Sequence, residues 1–392
     1  MTNDADVSDG EGATATADDG AAAVPQSIRP KTKQIVIAVG LTATILIVVF
    51  GFLLPSIVSY EDIWTALREI EPWQFGVLLL LWIVKLGPEG LVYARSLPGL
   101  TVSRGAAAWT ASTAFANVVP GPGDLLVRLS MYSTWGFGVD RAMISMTVSG
   151  IFQNINRLSL PVIGVVWYAA SRSTGGGDVE GWLIALAGLA LVILIAGLVF
   201  GTLVIRSEGI ARKVGDRVTR IVAWGSRKLK RDAPADLTER LLEWRDDARD
   251  LIVQRWWQLW LAHLSTTVLN VVMLLAAVRY AGAGADELTL PEVFLAYALV
   301  QLVTIIPITN GNIGIAEIAY IAFLAAFTSG GDAITGAIAA GVIAFRLYNW
   351  LLVIPVGFVS TATWRSSWRK KLGYDPFTIL AVQYGSKGAP AA

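Results

Sequence analysis

Two apolar stretches of this chain are each interrupted by a short run of prolines and glycines, and no other feature restricts the fold as strongly. The first stretch runs from Gly105 to Val119, meets the letters PGPG, and resumes from Asp124 to Trp135. The second runs from Pro291 to Phe327 around the letters PITNGNIG. Each uninterrupted arm is shorter than the roughly 20 residues that a helix needs to cross a bilayer. The sequence therefore predicts two helical hairpins that each enter and leave the membrane on one side, which we call re-entrant hairpins.

Composition supports a membrane protein. Hydrophobic residues make up 54% of the chain and charged residues only 16%, which leaves more apolar surface than one soluble core can bury. We therefore predict an all-α polytopic protein of the cytoplasmic membrane. The net charge of +1 argues against nucleic-acid binding, and the absence of cysteine excludes disulfides and thiolate metal sites. No P-loop motif occurs, so we expect no direct use of ATP, and we also predict no metal and no cofactor.

The regions that follow the two interruptions match each other. A long apolar segment with one arginine comes after each interruption, with Asn156 and Arg157 in the first and Arg346 and Asn349 in the second. The offsets agree, because 346 − 157 = 189 and 314 − 123 = 191. Repeated segments interrupted by glycine or proline are typical of transporter binding sites near the membrane midplane. We therefore predict an inverted-topology repeat whose two re-entrant helical hairpins enter from opposite faces.

The distribution of lysine and arginine predicts the orientation and the domains. Positive residues favour the cytoplasmic side of membrane helices, so both termini are predicted to be cytoplasmic. Residues 1–30 are predicted to be a disordered tail, residues 31–363 the transmembrane carrier domain, and residues 364–392 a second cytoplasmic tail. Within the carrier domain we place the first repeat at about 105–205, a cytoplasmic loop at 206–255 and the second repeat at about 291–363. The predicted spans are Gln34–Val58, Trp73–Tyr93, Ala142–Ala170, Trp182–Ile205, Trp256–Tyr280 and Ala333–Thr363.

Arg157 and Arg346 are the strongest candidates for substrate binding. Each lies near the middle of a long apolar segment, where an arginine needs an anionic partner. Two alternatives stay open. In the first, Asp124, Glu317 or Glu89 neutralises the arginines and locks helices together. In the second, the guanidinium groups bind a lipid phosphate, because their planar donor fork suits bidentate contact with it.

Further candidates lie in the hairpins and beside the deep arginines. Arg128 follows Asp124 by four residues and shares its helix face, and the free N–H groups at that helix start attract anions. Asp124 and Glu317 either cap their helices or hold a cationic headgroup or a coupling proton. Asn156 and Asn349 complete the predicted substrate-binding set. The residues predicted to let the backbone reverse at depth are Pro120, Gly123, Pro307, Gly311 and Gly314.

Three other polar residues lie inside apolar segments. Lys85 and Glu89 are four residues apart on one helix face with Pro88 between them. They are either a neutralised pair in a kinked helix or part of the substrate path. His263 is the single histidine, and we interpret it as a helix-end residue near the membrane interface rather than a ligand.

The motifs PGPGDLLVR and PITNGNIGIAE resemble the transmembrane flippase region of the lysyl-phosphatidylglycerol synthase family over about Trp73 to Thr363. On that resemblance Pro120, Gly123 and Arg128 map to the first motif, and Pro307, Gly311, Gly314 and Glu317 map to the second. The resemblance implies a carrier that moves a phospholipid through re-entrant hairpins. Asn310 and Asn312 flank Gly311 where the family is richer in glycine. No aminoacyl-transferase domain follows the last span, so we expect that the chain does not make lysyl-lipid itself.

These features together predict a flippase-like lipid transporter. Its substrate would be a phospholipid or a polyprenyl-phosphate-linked lipid, moved by facilitated or proton-coupled exchange. A non-transporting scaffold that binds a partner through the 206–255 loop is one alternative. A membrane enzyme acting on lipid-linked sugars is another, but no loop carries an Asp-rich motif, and we do not expect an enzyme. Assembly into a homo-oligomer stays open.

Overall fold

The structure is a computed structural model, and every regular element in the part of the chain that it describes is helical. The described residues are 59–119, 123–173, 181–209, 212–213, 215–217, 219–220, 237–305 and 309–379. The all-α prediction is therefore confirmed for these residues. The predicted tail 1–30, the span Gln34–Val58, Pro120, Pro307 and the loop centre 221–236 lie outside them.

Eleven α-helices of the described chain carry the argument that follows. They are α1 (Tyr60–Glu69), α2 (Pro72–Ser96), α3 (Val102–Val118), α4 (Gly123–Thr134), α5 (Val139–Ser173), α6 (Gly181–Arg206), α7 (Leu237–Tyr280), α8 (Leu290–Val303), α9 (Ile315–Ala325), α10 (Gly331–Arg346) and α11 (Val353–Leu372). A π-helical segment, Leu347–Leu352, joins α10 to α11. Short 3₁₀ turns occupy Asn310–Asn312 and Pro376–Thr378.

In the part of the chain that the structure describes, four helical segments are long and apolar enough to cross a membrane. They are Pro72–Ser96, Gly181–Leu203, Leu251–Tyr280 and Gly331–Leu372, and each overlaps one of the predicted spans. Helix α5 was predicted to cross as well and has 35 residues. It is not among the four, and it carries Gln153, Asn154, Asn156 and Arg157 in its middle. The protein is thus a helical membrane protein.

Four shorter helices form two pairs at the predicted interruptions. Helices α3 and α4 have 17 and 12 residues, and α8 and α9 have 14 and 11. At 1.5 Å per residue the longest is about 26 Å, which is less than the roughly 30 Å of a hydrocarbon core. The two helices of each pair pack against each other. We call α3 with α4 the first broken pair, and α8 with α9 the second broken pair.

Glycines bring the helices around the first broken pair into close contact. A Cβ atom on Gly105 of α3 would collide with the Gly90 carbonyl of α2, and one on Gly357 of α11 would collide with the Thr110 carbonyl of α3. Small residues allow this approach between membrane helices, where packing rather than water exclusion drives association. Helix α3 is therefore held between α2 and α11, and side chains from all three can meet.

The chain after α11 folds back onto that helix. Arg365 hydrogen-bonds the carboxylate of Asp375, which caps the final 3₁₀ turn by accepting the Phe377 N–H over 3.2 Å. The hydrogen bond from Arg365 is the main reason why the pKa of Asp375 is lowered from its ordinary value, and the Phe377 N–H adds to the effect. This exposed ion pair is a useful contrast to the buried pairs described below.

Candidate functional site

Arg346 is neutralised by a carboxylate of the second broken pair. Its Nε donates to Glu317 Oε1 over 2.5 Å, and its Nη2 donates to the Gly311 carbonyl over 3.0 Å. The other oxygen, Glu317 Oε2, accepts the Gly314 N–H over 2.6 Å. The two side chains are only 15% and 7% exposed. For Arg346 the structure therefore has the internal ion pair, and Glu317 also caps its helix as one of the alternatives predicted.

The turn between α8 and α9 contains three residues with positive φ values. Gly311, Asn312 and Gly314 have φ values of 64°, 53° and 87°. This left-handed region suits glycine, and asparagine tolerates it better than most residues. The turn points the Gly311 carbonyl at Arg346, and Asn312 Nδ2 donates to the Thr304 carbonyl over 3.3 Å. Gly311 and Gly314 thus supply the left-handed backbone of this turn, and their role in reversing the chain at membrane depth stays a prediction.

The end of α3 meets this turn at the π-helical segment. Asn117 Nδ2 donates to the Trp350 carbonyl over 3.4 Å, and a Cβ atom on Gly311 would collide with the side chains of both residues. Trp350 Nε1 and Asn312 Oδ1 are buried and have no hydrogen-bond partner in the described chain. Trp350 could not be identified from the sequence, because π-helical bulges have no sequence signature, although they are frequent at functional sites.

Lys85 is buried and contacts the π-helical segment, α3 and its own helix α2. Its Nζ donates to Asn349 Oδ1 over 2.5 Å and lies 3.8 Å from Glu89 Oε1. It also lies 5.3 Å from the ring centroid of Trp109 on α3. Lys85 and Glu89 are therefore the neutralised pair of the first alternative. Asn349 connects the π-helical segment to α2.

Arg128 in the first broken pair has no carboxylate within 4.0 Å among the described residues. Its Nη2 donates to Ser112 Oγ over 3.4 Å, and its Cζ lies 4.5 Å from the ring centroid of Tyr93. Its Nε is buried and finds no acceptor in the described chain. Asp124 lies one turn earlier in α4 but makes no ion pair with a described residue. Asp124 therefore does not neutralise Arg157 or Arg346, and that alternative is wrong for both arginines.

Arg157 also has no carboxylate partner within the described ranges. It lies within electrostatic range of Tyr297, Tyr320 and His263, and the two tyrosine rings are 6.3 Å apart between centroids. A neutral tyrosine hydroxyl supplies no full negative charge. The cation of Arg157 therefore has no full countercharge among the described residues.

The prediction for His263 was wrong. The side chain is buried inside the span Leu251–Tyr280 rather than at a helix end, and its Nε2 has no hydrogen-bond partner among described residues. The signal was present in the sequence, because His263 lies seven residues beyond Trp256 (263 − 256 = 7). At 1.5 Å per residue that is about 10 Å into the span. His263 therefore belongs to the surroundings of Arg157.

Asn156 is engaged in a helix contact. Its Nδ2 donates to Thr267 Oγ1 over 2.9 Å, and both residues are buried. This bond joins α5 to α7 and orients the turn of α5 that carries Arg157. A role for Asn156 in substrate binding stays a prediction.

Six of the buried or partly buried charges around the broken pairs divide into two groups. Lys85 with Glu89, and Arg346 with Glu317, are pairs of opposite sign. Arg128 and Arg157 are cations without a carboxylate in the described chain. Glu89 is within electrostatic range of Tyr93 beside Arg128 and of Tyr297 beside Arg157. The arrangement can hold an anion. No group of three or more His, Cys, Asp or Glu side chains that could bind a metal occurs among the described residues.

Comparison with known families gives one match. A family model described as the lysylphosphatidylglycerol synthase TM region matches residues 35–357 of the chain. The match covers both broken pairs and all four apolar spans except the last residues of the fourth. None of the curated proteins compared with the chain matches it.

Proposed function

This chain belongs to the lysylphosphatidylglycerol synthase family, whose transmembrane region it matches, and from that premise we propose that it is a flippase-like lipid carrier. It would move a phosphate-bearing lipid, or a lipid-linked headgroup, across the cytoplasmic membrane. The family and the apolar helices make it a lipid-related membrane protein. Transport itself is the proposal.

The proposal rests on the lack of a carboxylate partner at Arg128 and Arg157 in the described chain. Both lie in helices that we propose to lie within the membrane, and both lack a carboxylate partner in the part of the chain described. A charged side chain at the bilayer centre costs about 2.5–3.5 kcal/mol on insertion scales, so such residues are seldom kept without a partner. A lipid phosphate would supply that partner, and an arginine fork binds it through two parallel hydrogen bonds. The acyl chains would stay in the bilayer.

The two broken pairs suggest how the phosphate would pass. We propose that each pair is a re-entrant hairpin and that the pairs are related as an inverted repeat. The short helices and the contact of Asn117 with Trp350 beside Gly311 support this arrangement. In the proposed cycle the phosphate binds first at the arginines without carboxylates. Opening of the Arg346–Glu317 pair then offers Arg346 to the phosphate, and the freed Glu317 takes up a proton or a cationic headgroup.

The test is translocation of a fluorescent phospholipid in proteoliposomes. We expect Arg128→Gln and Arg157→Gln to slow translocation at least about tenfold each, because each removes a charge-assisted contact worth about 1.5–3 kcal/mol. Arg104→Gln is the matched control, since Arg104 is exposed and only stacks near Trp135, 5.6 Å from its ring centroid. If all three variants moved lipid as fast as the parent, the carrier proposal would be rejected.

A scaffold is the second candidate, and two observations favour it. The pairs Lys85–Glu89 and Arg346–Glu317 neutralise charges internally, as a purely structural role requires. A scaffold would leave the rate of lipid translocation equal with and without the protein in the vesicles. The carrier proposal requires a rate above that of protein-free vesicles, so the parent protein alone separates the two.

A further inference from the structure

A cavity lies away from the deep arginines Arg128 and Arg157. It has a volume of about 520 Å³ and opens between the end of α2, the first turns of α5 and the middle of α7. Sites for small molecules usually occupy about 300–1,000 Å³, so the space is large enough for a lipid headgroup. Its walls include Leu97, Ile144 and Leu251 together with Arg141, Gln254 and Arg255.

The ends of two candidate spans place this cavity at the membrane boundary. The span Pro72–Ser96 ends at the cavity, and the span Leu251–Tyr280 begins there. Trp256 and Trp257 follow directly on α7 and are 55% and 53% exposed. Exposed tryptophans favour the headgroup level of a bilayer. The cavity therefore lies where phospholipid headgroups are found.

The charge of the cavity is positive. Arg141 and Arg255 line it, and neither forms an ion pair within the described ranges. No lining residue is acidic. Two guanidinium groups beside an apolar wall match a phosphodiester joined to a glycerol backbone, because the forks bind the phosphate oxygens and the wall accepts the carbon atoms.

We propose that this cavity binds the headgroup of an anionic glycerophospholipid, with the phosphodiester held between Arg141 and Arg255. The acyl chains lie along the exposed apolar surface of α7 near Trp256, Trp257 and Trp260. A zwitterionic headgroup fits less well, because no lining carboxylate can pair with its cation.

The boundary cavity and the deep arginines are separate sites. Arg141 precedes Arg157 by 16 residues on the continuous helix α5 (157 − 141 = 16). At 1.5 Å per residue this separates their backbones by about 24 Å along the helix. A lipid can bind at the boundary whether or not the protein moves lipid, so this inference does not depend on the proposed transport.

A single introduced thiol gives a local test, because the chain contains no cysteine. Gln254→Cys puts the thiol in the cavity wall and keeps both arginines. The rate of its reaction with a fluorescent maleimide is compared in nanodiscs of phosphatidylglycerol and of phosphatidylcholine. We expect phosphatidylglycerol to slow labelling about tenfold, the factor that loss or gain of one charge-assisted contact produces.

Variants in the Gln254→Cys background identify the residues responsible. Adding Arg141→Gln and Arg255→Gln together should abolish the difference between the two lipids, whereas adding Arg157→Gln or Arg104→Gln should preserve it. Equal labelling of Gln254→Cys in both lipids would overturn the proposal, and this comparison stands even if the arginine variants do not fold. Slowing by inorganic phosphate in phosphatidylcholine nanodiscs, to the same extent as by phosphatidylglycerol, would also overturn it, because the ligand would then be a free anion.

Discussion

The two broken pairs differ in whether the arginine at each of them has a carboxylate partner. In the second pair, Glu317 closes onto Arg346 at 2.5 Å while also capping its own helix. In the first pair, Arg128 stacks on Tyr93, and its Nε has no acceptor in the described chain. Arg346 thus forms an internal ion pair at the second broken pair, whereas Arg128 in the first broken pair has no carboxylate partner in the described chain. Under the proposed carrier function, a substrate anion would bind first at Arg128 and Arg157.

The largest expected effect is on protein stability and comes from removing the Arg346–Glu317 ion pair. Arg346→Met leaves Glu317 buried without its cation, and removal of one partner from a buried pair destabilises a protein by about 3–5 kcal/mol. Arg128→Met should cost about 1 kcal/mol, because it removes only a weak hydrogen bond and a cation–π contact. Thermal unfolding in detergent measures both. Adding Glu317→Gln to Arg346→Met should restore most of the loss, since glutamine can still accept the Gly314 N–H. Equal losses for the two single variants would remove the distinction between the pairs.

A smaller effect is expected from the backbone of the two turns. Gly311→Ala places a Cβ at a φ of 64° and against Trp350 and Asn117, and a left-handed conformation alone costs about 1–2 kcal/mol. Gly123→Ala is the matched control in the first pair, where the φ is not positive and the new Cβ would lie 3.2 Å from the nearest atom of the Val119 side chain. The melting temperature should fall clearly for Gly311→Ala and little for Gly123→Ala. The opposite order would show that the second turn is not shaped as described.

The comparison can also be reversed by giving the first pair a carboxylate. Ser112 Oγ lies 3.4 Å from Arg128 Nη2, so Ser112→Asp should pair with Arg128 and compete with an anionic lipid there. We expect lipid translocation to slow about tenfold, the equivalent of roughly 1.4 kcal/mol. Ser112→Asn has nearly the same shape without the charge and should leave translocation close to that of the parent. If both variants behaved alike, competition for Arg128 would not be the cause.

The smallest effect concerns the exposed ion pair of Arg365 and Asp375. Because Arg365 lowers the pKa of Asp375 in the folded protein, the pair stabilises the folded state above the unfolded carboxyl pKa of about 3.9. That stabilisation is lost as the pH falls through the lowered pKa. The melting temperature of the parent should therefore exceed that of Asp375→Asn slightly at pH 7, and the gap should close under acid conditions. A gap that widened in acid would contradict the assigned direction.

The sequence predicted the broken pairs because their cause is local. Clustered prolines and glycines favour a break in a helix, and Gly311 and Gly314 adopt positive φ values within the turn itself. The same holds for the pairing of Lys85 with Glu89, which are one helical turn apart. These features required only the spacing of residues along the chain.

The choice of partners was not predictable. Glu317 and Arg346 belong to different helices, and only the packing of α9 against α10 brings them together. Asp124 was an equal candidate by sequence, but no described cation pairs with it. Asn349 and Trp350 acquire their contacts from the π-helical segment, which composition does not reveal. Tertiary packing therefore determines which buried charges form ion pairs and which have no carboxylate partner among the described residues.

Native mass spectrometry of gently purified protein tests the central claim most directly. The claim is that Arg157, which has no carboxylate among the described residues, holds the phosphate of a bound lipid. The parent should retain anionic phospholipid, and Arg157→Gln should retain one molecule fewer, while Arg104→Gln should match the parent. Identical lipid content in the parent and in Arg157→Gln would contradict the claim.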